Sequence, residues 1–531
     1  MRISKISMAA STVVVALLAT ACAGEGADKS DGPVEYETDG TFTFAMTGDP
    51  GAVNPYTNYQ VLSEMSFLAY DSLVYKTPDG EFVSGLAKDW EVGSDLATFT
   101  LNEGVTCSDG HELTATDVGD ALEYLGDPAN GSVLYGSLVP SVPYTVTADD
   151  EAGTVEVALD EPFPFLAETI ARVPILCPAA LEEQDRLDRE SIGTGPFTLT
   201  EAVPGDHYTF TRRDDYAWGP DGATTEAEGL AKTVTIRVVP NETTAANLLL
   251  SGEVNMAFVS GADSQRLDAQ GLSSLDARVT NGELWFNQRE GRPGSDEAVR
   301  RALVAALDLD ELASVSTAGE GDRATGMVAN VDYPCREDTV EGHLPAFDAD
   351  DAAAVLEEAG WALDDGVWAK DGEPLEVNLH FTTETEGGVA SSELIAERWK
   401  ELGVDVEISS DSPNASNSVM FESGDFDAYW VGFNLTLPHQ IVPFVTGEAP
   451  PNGTNFAAIE NADYAQLTGD AIRTVGDESC ELWNQAEHSL FDRVDVVPVS
   501  ESVRSYFLSG AEAETDGRLQ LPIPTSIRVV K

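Results

Sequence analysis

The sequence predicts an α/β fold built from several folding units. Segments with alternating, β-branched or aromatic residues are interleaved along the chain with segments whose apolar residues recur at helical spacing. Such interleaving favours α/β lobes over an all-helical or all-strand architecture. The chain has 531 residues, of which 42% are hydrophobic and 23% are charged. These values are typical of a globular protein, and the length corresponds to about three to four domains of ~150 residues.

Four strands and two helices show the pattern most clearly. The strand segments alternate in period 2 and are 41–44, 97–101, 233–238 and 375–379. One helix starts with an acidic first turn at Asp296 and Glu297, and one face of it carries Val299, Ala302, Leu303, Ala306 and Leu307. A second helix over 348–358 has Asp348 as its expected N-cap and Gly360 as its expected stop.

The charge balance excludes one class of function. The chain has 29 Lys and Arg against 93 Asp and Glu, which gives a net charge of −64 spread along its length. Because a surface that follows phosphates needs clustered cations, no nucleic-acid partner is expected. The same charge repels anionic lipids and anionic solutes at long range.

The N-terminus predicts export. Arg2 and Lys5 precede an apolar run over 6–19, which indicates a signal peptide over 1–21. The small residues before Cys22 resemble a bacterial lipobox, in which that cysteine is acylated after cleavage, although Ala19 stands where Leu is common. The alternative is an ordinary signal peptide with Cys22 as a bystander.

The segment after the cleavage site predicts a lipid-anchored location at the outer face of the cell membrane. Residues 22–39 are rich in Gly, Asp and Glu, and we expect them to form a lipidated tether. No later stretch reaches the roughly 18 apolar residues of a membrane span. The lipid is therefore the expected membrane contact.

Four further cysteines, at positions 107, 177, 335 and 480, fit two disulfides in an exported protein. Three pairings are possible, and four buried free thiols are the alternative. No CxxC pair and no His pair at i, i+4 is present, so neither a metal site nor a cofactor is expected. The common nucleophile and phosphate-loop motifs are also missing, which disfavours an enzyme.

A series of motifs resembles the family 5 extracellular solute-binding proteins, the receptors of peptide-type ABC importers. The resemblance begins with Asp71-Ser72-Leu73-Val74 and continues through Gly193-Thr194-Gly195-Pro196-Phe197. It spans nearly the whole mature chain in order, over segments 70–74, 79–92, 99–101, 108–110, 113–118, 193–197, 299–303, 359–361, 426–429 and 495–498.

The resemblance implies a two-lobed clamp of the periplasmic-binding-protein type (class II), with an extra subdomain in the first lobe. The expected division is 40–60, 190–281 and 501–531 for the first lobe, 61–189 for its subdomain, and 282–500 for the second lobe. Two crossings near Gly282 and Glu501 would then allow hinge closure. Disulfides Cys107–Cys177 and Cys335–Cys480 would stay within these units and leave the hinge free.

The resemblance also implies a function. We expect a monomeric receptor that binds an oligopeptide between its lobes and delivers it to ABC transporter permease subunits, without catalysis. An oligosaccharide or another polyhydroxylated solute is the alternative ligand. Thr436 falls at the position where a few peptide receptors of the family carry an aspartate for the peptide's amino group, and Glu501 or main-chain carbonyls are the expected substitutes.

The candidate ligand-binding residues lie on segments that the family uses to line its cleft or in a loop after the first strand. For Trp430 and Phe433 the alternative is packing in the core, and for Asn287 it is a hydrogen bond at a strand end. For the loop residues Tyr56, Asn58 and Tyr59 the alternative is a surface turn. The complete set is Tyr56, Asn58, Tyr59, Trp285, Asn287, Trp430, Phe433, Asn434, Thr436 and Glu501.

Overall fold

A computed structural model describes residues 34–531, except 78–79, 330–332, 334, 384, 386 and 516–521. The side chains of Tyr59, Pro413 and Asn414 also lie outside the described part. The expected signal peptide and Cys22 lie outside the described residues as well.

One large mixed sheet organises residues 36–531. Its strands lie in the spatial order Asp405–Asp411, Glu376–Thr382, Ala428–Val431, Ser273–Phe286, Val496–Leu508, Met256–Phe258, Thr41–Met46, Thr233–Val238, His207–Arg212 and Phe197–Val203, and Asp322–Arg323 pairs with Val496–Leu508. The strands on either side of Ser273–Phe286 and Val496–Leu508 form two halves of this sheet. These two long strands, called the crossing strands below, belong to both halves.

Smaller sheets surround the large one. A four-stranded antiparallel sheet contains Ala87–Val92, Leu96–Leu101, Thr154–Leu159 and Tyr144–Asp149 in that order, within the range expected for the subdomain. A three-stranded sheet contains Ala362–Asp364, Val367–Lys370 and Glu373–Pro374. Two-stranded sheets pair Val74–Lys76 with Phe82–Ser84 and Ala511–Glu512 with Arg528–Val529.

Fourteen α-helices lie within the described residues and pack on the sheets. They are Tyr59–Glu64, Ser66–Ala69, Ala115–Gly126, Pro178–Glu182, Glu242–Ser251, Gly261–Ala269, Glu297–Ala305, Leu309–Ser316, Ala349–Glu358, Gly388–Leu402, Pro413–Ser418, Val442–Val445, Ala462–Ala471 and Asp477–Asp492. No helix in this part of the chain is both long enough and apolar enough to cross a membrane.

The strands and helices predicted from sequence are confirmed. Each predicted strand segment lies in an observed strand, with 375–379 shifted by one residue to Glu376–Thr382. Asp296 caps the helix Glu297–Ala305 by accepting from the backbone N–H of Ala298, and the predicted apolar face is buried. Asp348 caps the helix Ala349–Glu358, and Gly360 ends it in a left-handed conformation with φ of 89°.

Residues at the C-terminal end of the predicted tether contact the globular body. Tyr36 forms a β-bridge with Val530, and its hydroxyl donates to Glu512 over 2.6 Å. Asp39 accepts from Arg212 over 3.0 Å. Residues 36–39 are therefore attached to the globular body, because Tyr36 supplies the apolar surface and hydrogen-bonding group that the preceding residues lack.

Both disulfides pair as expected. Cys107 bonds to Cys177 with a Cα–Cα distance of 6.2 Å, and Cys335 bonds to Cys480 with a Cα–Cα distance of 4.8 Å. The paired cysteines are separated by 70 and 145 residues in sequence. Each bridge therefore closes a long loop, which restricts the unfolded chain strongly in the chain-entropy description.

Removing the second bridge tests its contribution. In the double variant Cys335→Ser, Cys480→Ser we expect the free energy of unfolding to fall by up to about 4 kcal/mol, because the unfolded chain regains loop entropy. Guanidinium chloride unfolding without reductant measures the change, and wild type with reductant is the control. Peptide mapping under non-reducing conditions should recover both linked pairs, and a Cys107–Cys335 or Cys107–Cys480 peptide would contradict the pairing.

Candidate functional site

The candidate site is built where the crossing strands pass from one half of the sheet to the other. Their antiparallel register runs regularly from Ser273 opposite Leu508 to Thr280 opposite Glu501, and then shifts on both sides of Gly282. This irregularity is a β-bulge, which bends the strand and re-aims the side chains beside it. The bulge falls at the crossing that the sequence predicts near Gly282 and Glu501.

Two glycines allow a close approach at this bulge. A Cβ on Gly282 would overlap the ring of Trp430, and a Cβ on Gly432 would lie 2.6 Å from the carbonyl oxygen of Thr280. Glycine is therefore the residue that lets segment 430–432 pack directly against the crossing strand.

A cavity of about 590 Å³ opens beside the bulge. Its size falls within the range of small-solute sites. Both halves of the large sheet, and connections next to them, contribute to its lining, which includes Thr47, Glu242, Phe258, Ser260, Val279, Thr280, Asn281, Gly432, Asn434 and Arg504.

Polar groups without partners line this cavity at the bulge. Thr280 and Asn281 are 4% and 7% exposed, respectively. Within the described chain, the Thr280 hydroxyl and the Asn281 side-chain NH₂ have no hydrogen-bond partner. Two other polar groups of these residues have partners. Asn281 Oδ1 accepts from the Ser502 hydroxyl over 2.5 Å, and the Thr280 N–H donates to Asn434 Oδ1 over 3.0 Å. Since a buried polar group without a partner is costly, a bound solute can stabilise this region by satisfying these groups.

Charged groups of both signs line the same cavity. Glu242 Oε2 accepts from the N–H and the hydroxyl of Ser260 over 3.0 and 2.8 Å. The guanidinium carbon of Arg504 lies 4.2 Å from the centre of the Phe258 ring, in a cation–π contact. The cavity therefore offers hydroxyl, amide, carboxylate, guanidinium and aromatic surfaces to a solute.

The structure brings one predicted ligand residue, Asn434, into the cavity lining. Phe433 is partly buried in an aromatic cluster, with its ring centre 5.5 Å from Trp285 and 5.0 Å from Phe444. Thr436 is partly buried, and its N–H donates to Gln440 Oε1 over 2.8 Å. Asn434 thus remains the best-placed residue of the predicted segment, whereas Phe433 and Thr436 lie behind it.

Three other predicted residues of this region belong to the core. Trp430 has no exposed surface and packs in a core cluster that also contains Leu284 and Trp399. Trp285 donates to Glu283 Oε2 over 2.8 Å, and Asn287 donates to the carbonyl groups of Gly424 and Phe426. For Trp430 and Asn287 the structure matches the packing and strand-end alternatives, because strand pairing turns these side chains away from the cavity.

The predicted loop after the first strand also lies apart from the cavity. Tyr56 is completely buried, and its hydroxyl donates to the carbonyl of Pro174 over 2.9 Å. Asn58 caps the helix Tyr59–Glu64 by accepting from the N–H groups of Gln60 and Val61. The side chain of Tyr59 lies outside the described part. Tyr56 and Trp430, which are both predicted ligand residues, are thus both enclosed by core residues.

Glu501 is buried and neutralised by the protein itself. Its Oε2 lies 3.2 Å from Arg278 and 3.1 Å from Arg336, while Oε1 accepts from the N–H of Thr325 over 3.1 Å. A ligand amine would have to displace two guanidinium groups to reach this carboxylate. The expectation that Glu501 receives an amine therefore has no support in this geometry.

Sequence reasoning missed most of the residues that line the cavity. Thr280, Asn281 and Arg504 lie on strands whose pattern marks them only as paired and half buried. One signal was available in the sequence. Cations are scarce, with 29 Lys and Arg against 93 Asp and Glu, so Arg504 in the second crossing strand is unusual.

A larger cavity of about 840 Å³ lies on another part of the surface. Tyr36, Glu512 and Arg528 contribute to its lining. The hydroxyl of Tyr36 and the carboxylate of Glu512 already bond to each other over 2.6 Å. The cavity at the bulge is preferred as the functional site because its buried Thr280 and Asn281 side chains have groups to satisfy.

Comparison with known proteins identifies the family. The family description "Bacterial extracellular solute-binding proteins, family 5 Middle" matches residues 81–447, which is more than half of the chain. The chain belongs to this family. It is therefore an extracytoplasmic solute receptor and not an enzyme.

Relatives match most of this receptor's length. Protein XP55 of Streptomyces lividans is 28% identical over 415 residues, which cover 76% of this chain and 72% of the relative. Oligopeptide-binding protein AppA of Bacillus subtilis is 26% identical over 501 residues, covering 88% of both chains. The structure of AppA in complex with a nonapeptide has a TM-score of 0.76 at 20% identity, over 94% of this chain and 100% of that chain. This likeness shows that the receptor has the two-lobed clamp fold.

Two buried carboxyl groups of the receptor have shifted pKa values, and one of them is adjacent in sequence to the bulge. Burial raises the pKa of Glu283, which directly follows Gly282, to about 8. Burial likewise raises the pKa of Glu487 to about 7, although its Oε2 accepts from the Thr339 hydroxyl over 2.5 Å. Both groups therefore hold a proton at pH values where a solvated carboxyl group is ionised.

The protonated state of Glu283 predicts a pH-dependent stability. Since its folded pKa is raised from 4.5 to about 8, its contribution to the free energy of unfolding is fully present below pH 4.5 and is lost as pH rises towards 8. The variant Glu283→Gln cannot ionise. We expect it to exceed wild type in free energy of unfolding by on the order of 1–3 kcal/mol at pH 8, with little difference at pH 4.5.

Chemical denaturation of both proteins between pH 4.5 and 8 measures this difference. Glu226→Gln, at an exposed position, is the matched control and should keep the wild-type profile. If Glu283→Gln shows the same pH slope as wild type, Glu283 is not the group whose proton the folded receptor retains.

Proposed function

We propose that this receptor binds an oligopeptide between its two lobes and delivers it to the permease of an ABC importer. The observation that carries the proposal is the cavity at the bulge, where the buried Thr280 hydroxyl and Asn281 amide have no partner in the described chain. A peptide backbone supplies N–H and C=O groups in regular spacing, which such hydroxyl and amide groups can bind.

The relatives add support. AppA of Bacillus subtilis is named an oligopeptide-binding protein, and a nonapeptide is present in its structure. We carry this ligand class over to the present receptor as a proposal, because the match covers 88% of both chains at 26% identity.

We further propose the division into lobes that the sequence predicts. In this division residues 40–60, 190–281 and 501–531 form the first lobe, 61–189 its subdomain and 282–500 the second lobe. The register shifts on both sides of Gly282 support a boundary there, since irregular pairing bends more easily than a regular ladder. Arg504 and Asn434 then come from different lobes and line one cavity.

This arrangement accounts for delivery of the solute without a catalytic step. A solute that touches Arg504 on one lobe and Asn434 on the other makes both contacts only when the lobes are close together. Its binding therefore stabilises the closed form, and the permease can distinguish loaded from empty receptor by that form.

A second candidate ligand is an oligosaccharide or another polyhydroxylated solute. The hydroxyl and amide groups of Thr47, Ser260, Thr280, Asn281 and Asn434 in the cavity lining favour it. These groups bind hydroxyl groups as well as peptide groups.

A peptide with and without an N-terminal acetyl group distinguishes these ligands. Because Thr436 stands where a few family members carry an amine-binding aspartate, acetylation should cost under about 1 kcal/mol, against 2–5 kcal/mol for breaking a buried charge pair. Calorimetry on one pentapeptide measures the cost.

A loss of several kcal/mol in wild type would show that a carboxylate such as Glu242 reads the amine. If neither peptide form binds while malto-oligosaccharide does, the ligand is the second candidate.

We also propose that Cys22 carries a lipid that holds the receptor at the membrane. The lipobox-like segment before it and the polar residues after it support this proposal. The variant Cys22→Ser should appear in the medium and lack the lipid mass at its N-terminus, as measured by fractionation and mass spectrometry. Ala23→Ser is the matched control and should stay in the membrane fraction. Retention of Cys22→Ser with unchanged mass would contradict lipidation.

A further inference from the structure

Arg504 is an isolated cation in a strongly acidic protein. The chain carries 93 Asp and Glu against 29 Lys and Arg, and nearby Arg278 and Arg336 both pair with Glu501. Arg504 takes part in none of the ion pairs found among the described residues, and its Nε is buried there without a hydrogen-bond partner. A guanidinium group that lines a cavity in this state is available to an anionic group of a solute.

The alternation of the strand keeps Arg504 apart from the carboxylate network. Arg504 and Ser502 share one face of Val496–Leu508, whereas Glu501 points to the other face with Arg278. On the cavity face, the Ser502 hydroxyl holds Asn281 Oδ1 over 2.5 Å, which leaves the Asn281 NH₂ group as a free donor within the described chain. The cation–π contact with Phe258 holds the guanidinium group over the ring at 4.2 Å.

Glu242 lines the same cavity as Arg504, and Glu64 interacts with it electrostatically. Glu242 is engaged by two hydrogen bonds from Ser260. Glu64 interacts with Arg504 electrostatically, but its N···O distance exceeds that of an ion pair, and burial raises the pKa of Glu64 despite this cation. Within the described residues, neither carboxyl group therefore forms an ion pair with Arg504.

We propose that Arg504, together with the Asn281 NH₂, binds a carboxylate group of the solute. This inference rests on the proposed function, since it uses the same cleft. A planar guanidinium group donates two parallel hydrogen bonds to a carboxylate, and the Asn281 amide can donate to a remaining lone pair. Asn281 is 7% exposed, so this bond forms where water competes weakly.

The net charge of the protein restricts which solutes with carboxylate groups can bind. At −64 the protein repels a multiply charged anion at a distance. A zwitterion with one carboxylate feels little of this repulsion and still gains the contact with Arg504. The free C-terminus of an unmodified peptide has this chemistry.

Four probe pools test the inference on the purified full-length receptor. Two contain pentapeptides with free or amidated C-termini, and two contain oligogalacturonides or neutral malto-oligosaccharides. Equilibrium dialysis with mass spectrometry measures the affinity of wild type, Arg504→Gln and Arg504→Lys for each pool. Arg237→Gln is the matched control, because it removes the same charge from an exposed residue outside the cavity lining.

We expect wild type to bind the free peptides at least about tenfold more tightly than the amides, as for a charge-assisted hydrogen bond. Arg504→Gln should abolish this preference. Arg504→Lys should retain part of it, because lysine keeps the positive charge but lacks the two parallel N–H donors of the guanidinium group. Arg237→Gln should behave as wild type. Thermal unfolding identifies a variant that has failed to fold, in which case the comparison of acids with amides in wild type decides.

The remaining outcomes separate the two proposals. Equal binding of free and amidated peptides overturns the carboxylate role and leaves the peptide function standing. Binding of oligogalacturonides without peptides, lost in Arg504→Gln, overturns the peptide ligand and supports the carboxylate role. Malto-oligosaccharides bound as tightly as oligogalacturonides, or no bound pool at all, overturn both.

Discussion

The tight packing between the bulge and segment 430–432 is the constraint on which the cleft depends. Gly282 leaves room for the ring of Trp430, and Gly432 leaves room for the carbonyl of Thr280. Because the chain approaches itself this closely, the regular ladder of the crossing strands is interrupted at the bulge. At this interruption Asn281, whose side-chain NH₂ has no hydrogen-bond partner within the described chain, lies beside a cavity.

The two faces of the crossing strands carry different electrostatics. One face holds Glu501 between Arg278 and Arg336, a compact arrangement in which each charge has a partner. The other face presents Arg504 on an aromatic platform without such a partner in the described chain. This separation leaves Arg504 in the lining of the cavity, in a protein whose net charge is −64.

Further contacts join segments that lie far apart in sequence. The side chain of Gln440 donates to the carbonyl of Ser137 over 3.2 Å, and the ring of His439 lies 5.0 Å from Phe163 and 5.7 Å from Phe165. Burial lowers the pKa of His439 to about 4, so this ring is neutral in its aromatic surroundings at pH 7. In the proposed division these contacts join the subdomain to the second lobe. Opening of the clamp would expose this apolar surface to water. The cost of that exposure favours the closed form.

Local signals in the sequence determined the elements and the family. Asp296 and Asp348 cap helices, and Gly360 ends one, because capping depends on residues within one helical turn. The ordered motifs also indicated the fold and the within-unit cysteine pairs. Only the tertiary structure decided which side chains face the cavity. Trp430 and Asn434 lie four residues apart in one predicted segment, yet the first is buried and the second lines the cleft. Which of them faces the solute depends on the bulge and on pairing between strands about 220 residues apart in sequence, a register that no local pattern contains.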